Sequence, residues 1–444
     1  MTPALSPRDR RSPPLTPNTA GARRARPLRL LWAGLGLAAL GLVLGRPAAP
    51  LAAPAPTAGA RTGGDDIRVG MSAALSGPTG SLGRDMRLGI ELHFTEVNRA
   101  GGVAGRALRL IALDDGYVPE VAADNMRRLI EREQVVAVIG NVGTPTAEKT
   151  VPIARAAGTL LFAPFTGASL LYRRDTQDHV LTYRASYAEE TATMIQHLLA
   201  IGVRPYEIAF FTQHDGFGDD GYRGAMTALE AAGYDAAREL PHGRYERNTL
   251  DIEDALLTIL DAENRPRAII MIGAYAPCAK FIRVIRRRLP NTVFMVGSFV
   301  GSTALADALG PHGEGVIVTQ VVPNIDDSSL PVVRDYHRAL AEQAPQAEPS
   351  FVSLEGYIAA RVFVEGLRRA PTPLTRAGVT TALAALCEVD VGLGDGARID
   401  YCDRDRQASH RVWPTALTKD GHFAPVDWDA LARTVQAWRT QRGH

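Results

Sequence analysis

Cysteine is nearly absent from this chain, with three in 444 residues: Cys278, Cys387 and Cys402. There is no Cys-x-x-Cys pair and no His/Cys cluster at ligand spacing, so nothing supports a metal centre. A surplus of one charge is missing too. Lys and Arg number 49 against 48 Asp and Glu, a formal net charge of +1. Nothing in that balance points to nucleic acid or to an acidic partner. The Gly-x-x-x-x-Gly-Lys-Ser/Thr phosphate loop is absent. So are a Gly-x-Ser-x-Gly elbow and a His-Glu-x-x-His pair. No nucleophile stands beside a recognisable base. The expectation is therefore a protein that is not an enzyme, with no cofactor, no metal and no catalytic residues.

Long hydrophobic runs reduce to one. Residues 1–27 are rich in Pro, Ser, Thr and Arg, a composition that favours disorder. Arg23, Arg24, Arg26 and Arg29 then precede the apolar stretch Leu30 to Gly45, and small residues and prolines follow to Ala60. A basic segment, a short apolar core and a small-residue tail make a secretory signal over residues 1–60, with Ala58-Gly59-Ala60 as the cleavage site. The stretch is short of the ~20 apolar residues of a membrane span. If uncleaved, it would anchor the chain instead. Export places the cysteines in an oxidising compartment, so Cys387 and Cys402 are candidates for pairing and Cys278 for a buried hydrophobe.

What the rest of the chain does have is alternation. From Ile67 onward, apolar strands such as "IRVGMSAAL", "VVAVIG" and "TLLFAPF" alternate with amphipathic helices such as "MRLGIELHFTEVNRAGG" and "TAEKTVPIARAAG". The pattern restarts with "EETATMIQHLLAIG" and runs through "EIAFFTQHDGFGDDG", "AIIMIGAY" and "TVFMVGSF". Two later helices, "VVRDYHRALAEQ" and "FVSLEGYIAARVFVEGLRRA", return to the first sheet, and "RVWPTALTKDGHF" forms a hairpin. The fold class is α/β: two Rossmann-like lobes with parallel central sheets, joined by three crossing segments. Residues 66–186 and 321–395 form lobe 1, and residues 187–320 and 396–444 form lobe 2.

Ligands of open α/β sheets bind beyond the carboxyl ends of the strands. Thr144 and Thr166 each stand where a strand has ended and a helix is about to begin. Unpaired backbone N–H groups and the helix dipole favour an anion such as a carboxylate there. Simple N-capping is the competing explanation for each Thr. Phe217 and Tyr275 follow strands of the second lobe, where aromatics can close over a ligand. "HDGFGDD" reads as a solvated turn after a strand, and Asp114-Asp115 as a pair that caps a helix or ties down a loop.

These residues resemble the leucine/isoleucine/valine-binding family of periplasmic solute-binding proteins, the type I two-lobed fold of ABC transporters. The resemblance runs from about Ile67 through the C-terminal hairpin. It is carried by "IRVGMSAALSGPTGSLGRDMRLGIELHFTEVNRAGGVAGRALRLIALDDG", "VVAVIGNVGTPTA", "LLFAPFTGASLL", "FFTQHDGFGDDG" and "IIMIGAYAPCAKFIR" in that order. It implies a ligand site at Thr144, Phe165, Thr166, Gly167, Phe217, Tyr275 and Ser298. There are departures. Amino-acid binders of the family usually carry an acidic residue after the strand that here reads "FMVG". This chain has Ser298 there, followed by Phe299, and no carboxylate is expected nearby. Gly167 stands where the family has Thr, Phe217 replaces its Tyr, and the two lobe-one cysteines of some members are absent. The resemblance implies a monomeric receptor for a small molecule (amino acid, organic acid or amide) that passes it to an ABC transporter permease. An aromatic or aliphatic acid, or an amide, fits as well as leucine. A periplasmic sensor coupled to a membrane receptor or kinase is the alternative use of the same cleft.

Overall fold

The computed structural model describes residues 66–440 apart from 174, 177, 236–238, 395–396 and 403–405; the expected signal segment lies outside the described residues. Two sheets organise the chain. The first contains β1 (Ile67–Ala73), β2 (Leu108–Asp114), β3 (Ala137–Ile139), β4 (Leu161–Phe162) and β5 (Val180–Leu181), all parallel, in the order β2-β1-β3-β4-β5. Helices α1 (Gly80–Arg99), α2 (Pro119–Glu131) and α3 (Thr144–Ala156) link these strands, and α4 (Tyr187–Ala200) follows β5. Strands covered on both faces must be apolar on both faces. Accordingly only Arg68 of β1 is exposed.

The second sheet is built from β6 (Ile208–Gln213), β7 (His242–Tyr245), β8 (Ala268–Ile272), β9 (Val293–Val296) and β10 (Ile317–Gln320), parallel to one another. Helices α5 (Gly216–Ala231), α6 (Glu253–Leu260), α7 (Tyr275–Ile285) and α8 (Ser302–Leu309) lie between these strands in sequence. After them α9 (Pro331–Gln343), α10 (Phe351–Arg369) and α11 (Arg376–Ala384) return to the first sheet's side. There α10 packs on α1 through Phe363 against Phe94, ring centroids 6.4 Å apart, and Tyr357 Oη donates to Glu96 at 2.7 Å. The chain then closes with β11 (Trp413–Leu417), β12 (Phe423–Pro425) and α12 (Trp428–Thr440). The hairpin β11–β12 is antiparallel and extends the second sheet to the order β12-β11-β10-β9-β8-β6-β7.

Strand order reverses between β1 and β3 in one sheet and between β6 and β8 in the other. Such switch points open a crevice at the carboxyl ends of the strands. Thr144 follows β3, Phe217 follows β6 and Tyr275 follows β8, so both crevices carry residues anticipated from sequence. The "HDGFGDD" stretch departs from its reading as a solvated turn. Helix α5 already begins at Gly216, capped by Asp215, which accepts from Phe217 N at 3.1 Å. Strand β7 and helices α11 and α12 were not anticipated. Cys387 and Cys402 form a disulfide, with Cα atoms 5.4 Å apart, and Cys278 is a buried free thiol whose pKa burial pushes up.

Candidate functional site

The two corners of the first sheet are zipped together by backbone. Phe165 N donates to Asn141 O at 2.7 Å, and Gly143 N donates to Phe165 O at 3.1 Å. Gly143 has φ +102°, and a Cβ there would lie 2.2 Å from the Tyr117 ring, so only glycine lets that ring approach. Thr144 is therefore delivered as the first residue of α3. No side chain caps this helix end. The Thr144 hydroxyl is engaged elsewhere, 2.7 Å from Thr166 Oγ1, which in turn is 3.1 Å from Tyr187 Oη. This removes N-capping of α3 as the explanation for Thr144 and leaves a buried chain of three hydroxyls beside a helix N-terminus. Gly167 lies against the chain entering α4. Its carbonyl accepts from Tyr187 N at 2.8 Å, and a Cβ would fall 2.8 Å from that nitrogen.

Aromatic rings from both sheets meet over these hydroxyls. Phe299, in the short 3-10 helix Ser298–Val300 after β9, is the hub. Its centroid lies 5.3 Å from Phe165, 4.6 Å from Phe217 and 6.0 Å from Tyr117, and Phe217 is 5.1 Å from Tyr187. All five rings are buried. Tyr117 holds a left-handed backbone, φ 63°, a conformation that costs a non-glycine residue energy and tends to occur at functional sites.

Ser298 is held by a carboxylate. Its N and Oγ each donate to Glu190 at 2.8 Å, and Thr319 Oγ1 donates to the same group at 2.5 Å. This corrects the sequence-based expectation that no carboxylate stands near Ser298, because Glu190 arrives from α4, 108 residues earlier in the chain. Arg184 lies alongside, wholly buried, and donates from Nη2 to Ser298 Oγ. Its guanidinium sits 3.5 Å from Glu190 Oε1, 3.7 Å from Glu355 Oε1 and 4.7 Å from the Phe165 ring centroid. Burial works against the charge of Arg184, but Glu355 and Glu190 outweigh it and hold the guanidinium above its ordinary pKa. Burial likewise pushes Glu355 up to about 7, against the pull of Arg184.

Direct contacts close the crevice. Gln213 Nε2 donates to Tyr117 Oη at 3.3 Å, and Asn248 Nδ2 donates to Gly116 O at 3.1 Å. Asp220 of α5 accepts from both N and Oγ of Ser169 at 2.6 Å. Beneath the first sheet's corners, Asp114 ties down the turn at Leu75 and Ser76, accepting at 2.8 Å from Leu75 N and 2.5 Å from Ser76 Oγ. Asp115 accepts from Ser72 Oγ at 2.7 Å, and burial raises its pKa to about 6. The acidic residues after β6 are each paired: Asp215 with Arg247, Asp219 with Arg244, Asp220 with Arg223.

Of the residues singled out from sequence, Thr144, Phe165, Thr166, Gly167, Phe217 and Ser298 come together. Tyr275, half-buried at the start of α7, is reached by none of the hydrogen bonds or ring contacts that join them among the described residues. Sequence reasoning missed Tyr117, Tyr187, Glu190, Phe299 and Arg184 as members of this cluster. The available signal was the Arg within "LTYRASY", a lone charge between buried aromatics.

A family model described as periplasmic binding protein matches residues 66–422. The chain is 25% identical over 396 residues to Leu/Ile/Val-binding protein homolog 7 of Brucella abortus, covering 84% of this chain and 94% of that one. Among solved structures, a possible leucine/isoleucine/valine-binding protein from Rhodopirellula baltica SH 1 is 43% identical, with TM-score 0.79 and coverage of 83% of this chain and 98% of that one. A substrate-binding periplasmic protein from Ralstonia solanacearum is 31% identical, with TM-score 0.75 and coverage of 81% and 100%.

Proposed function

The chain belongs to the periplasmic binding protein family, of the leucine/isoleucine/valine-binding type, and from that premise we propose that it is an exported, monomeric receptor that captures a small carboxylate-bearing or amide solute between its lobes and delivers it to an ABC permease. Members of this family are binding proteins, and this chain acts as one rather than as a catalyst. The observation that carries the reading is the meeting of strand ends from both sheets. A chain of buried hydroxyls at the uncapped start of α3 faces a shell of five aromatic rings there. Thr144 and Thr166 take the solute's polar head. Phe165, Phe217 and Phe299 take its apolar body, with Gly167, Ser298 and Tyr275 completing the walls.

Closure is a hinge motion about the crossing segments near residues 184–187, 318–322 and 392–399. The solute shifts the open–closed balance only by binding the closed form better. The Ser169–Asp220, Tyr117–Gln213 and Gly116–Asn248 contacts belong to that closed form.

The test is a thermal-shift panel on protein unfolded and refolded to strip bound solute. It compares branched-chain amino acids, their deaminated acids, aromatic acids and amides. A solute at ~100 times its dissociation constant should add about 2.7 kcal/mol of stability. Stabilisation by a carboxylate or amide that Thr144→Ala weakens supports the reading, and silence across the panel sinks it.

A further inference from the structure

We propose that Arg184 is the cleft's own cation, filling the position between Glu190 and Glu355 that attracts positive charge, and that its unpaired N–H groups select a solute carrying a carboxylate but no amine. The proposal rests on the cleft being the solute site.

A guanidinium presents five N–H donors in a planar fork. Arg184 is buried completely, in the connection between β5 and α4. A charge at that depth needs partners on every side. Only Nη2 has a hydrogen-bond acceptor, Ser298 Oγ, whereas Nε and Nη1 have none among the described residues. Glu355 Oε1, at 3.7 Å from Nη1, is an ion-pair partner beyond hydrogen-bond length. Glu190 is already committed, its Oε1 to Ser298 Oγ and its Oε2 to Ser298 N and Thr319 Oγ1. An arginine placed only to fasten the two halves together would have its donors met, as buried polar groups almost always are. The unmet donors call for an acceptor from outside the chain, and a carboxylate matches the fork in two parallel bonds.

The location decides the rest of the solute. Phe165 lies under the guanidinium and packs on Phe299, and Phe299 packs on Phe217. An acid bound to Arg184 therefore has its apolar body among these rings, beside the Thr144–Thr166 hydroxyls. An amino acid would bring an ammonium to ground that a guanidinium already occupies. Like charges at that range, out of water, reject it, so selectivity comes from repulsion as well as attraction.

The test is calorimetric titration of the full chain, unfolded and refolded, with isocaproate, phenylacetate, benzoate and octanoate beside leucine and phenylalanine. Wild type should bind at least one acid lacking an amine, and bind it at least ~10-fold tighter than either amino acid. Arg184→Met leaves two buried carboxylates facing each other, so Arg184→Met with Glu355→Gln is the companion variant that keeps the fold, checked by circular dichroism. That double variant should lose about 100-fold in acid affinity. Arg184→Lys keeps the charge without the fork, so it should lose most acid affinity yet still reject leucine, a split that a merely structural role would not produce. A wild type that binds leucine as tightly as isocaproate, with Arg184→Met unchanged, leaves the solute-receptor reading intact and overturns this proposal. A folded double variant with undiminished acid affinity overturns it as well. Absence of binding to all six compounds overturns this proposal alone, because the amides of the thermal-shift panel still test the receptor reading.

Discussion

Glu355→Gln should leave stability almost unaltered near pH 5 and raise it near pH 8. Glu355 lies in the second turn of α10 with its carboxyl buried beside Arg184. Burial pushes that carboxyl from 4.5 to about 7, with Arg184 opposing the rise and Glu190 adding to it. Between those two values the folded protein binds the proton and the unfolded chain has released it. The contribution of Glu355 to stability is therefore complete below about pH 4.5, falls as pH rises, and is gone above about pH 7. At roughly 1.4 kcal/mol per pH unit, the interval corresponds to about 3 kcal/mol. Glutamine keeps the shape of the neutral acid and never ionises, so the variant escapes this loss. Urea unfolding of both proteins at several values from pH 5 to pH 8 reads the effect directly. Asp115, raised to about 6 by burial, slopes in the same direction. It is present in both proteins and cancels in their difference. A gap between wild type and variant that stays constant across this range would refute the reasoning, because it would mean that Glu355 titrates alike in folded and unfolded chains.

Three further outcomes follow from the geometry. Asp220→Ala removes two 2.6 Å bonds from Ser169 to a carboxylate that touches none of the hydroxyls or rings of the site. At ~1.5 kcal/mol or more per charged hydrogen bond, solute affinity measured by calorimetry should fall at least about 10-fold through weakened closure. Phe299→Ala takes the hub from a cluster of four other buried rings and should cost about 3–5 kcal/mol in urea unfolding, with loss of solute binding. Replacing Cys387 and Cys402 together by Ser opens a covalent loop with a sequence separation of 15, for which chain entropy predicts about 3 kcal/mol. Denaturation of the unreduced wild type against the double variant measures it, and equal midpoints would exclude a stabilising role for the pair.

How far this molecule can be read from its sequence depends on the distance over which each contact acts. Parallel strands covered on both faces are unbroken apolar runs, so β1, β6 and β8 stand out locally, as do the helices between them. Thr144, Thr166, Phe217 and Ser298 are legible for a related reason. Each sits at the end of a visible strand, and strand ends in such sheets converge on one crevice. Strand β7 is hidden because it is a four-residue edge whose His242 and Arg244 interrupt the apolar signal. The charged part of the site is hidden for a deeper reason. Glu190 reads as one more acidic residue in the first turn of a helix capped by Ser186 and Glu189, where carboxylates are commonplace. Nothing within a helix turn reveals that it faces Ser298, 108 residues away, instead of water. Arg184 does leave a trace, since Tyr183 and Ala185 beside it are buried and the nearest carboxylate in sequence, Glu189, lies beyond the next turn of chain. A lone charge in such surroundings must either reach solvent or be met from elsewhere in the fold. In a segment that crosses between two covered sheets the first option is closed. Its partners must then be supplied by both sides of the cleft, and the donors they leave unmet fall to whatever the cleft encloses.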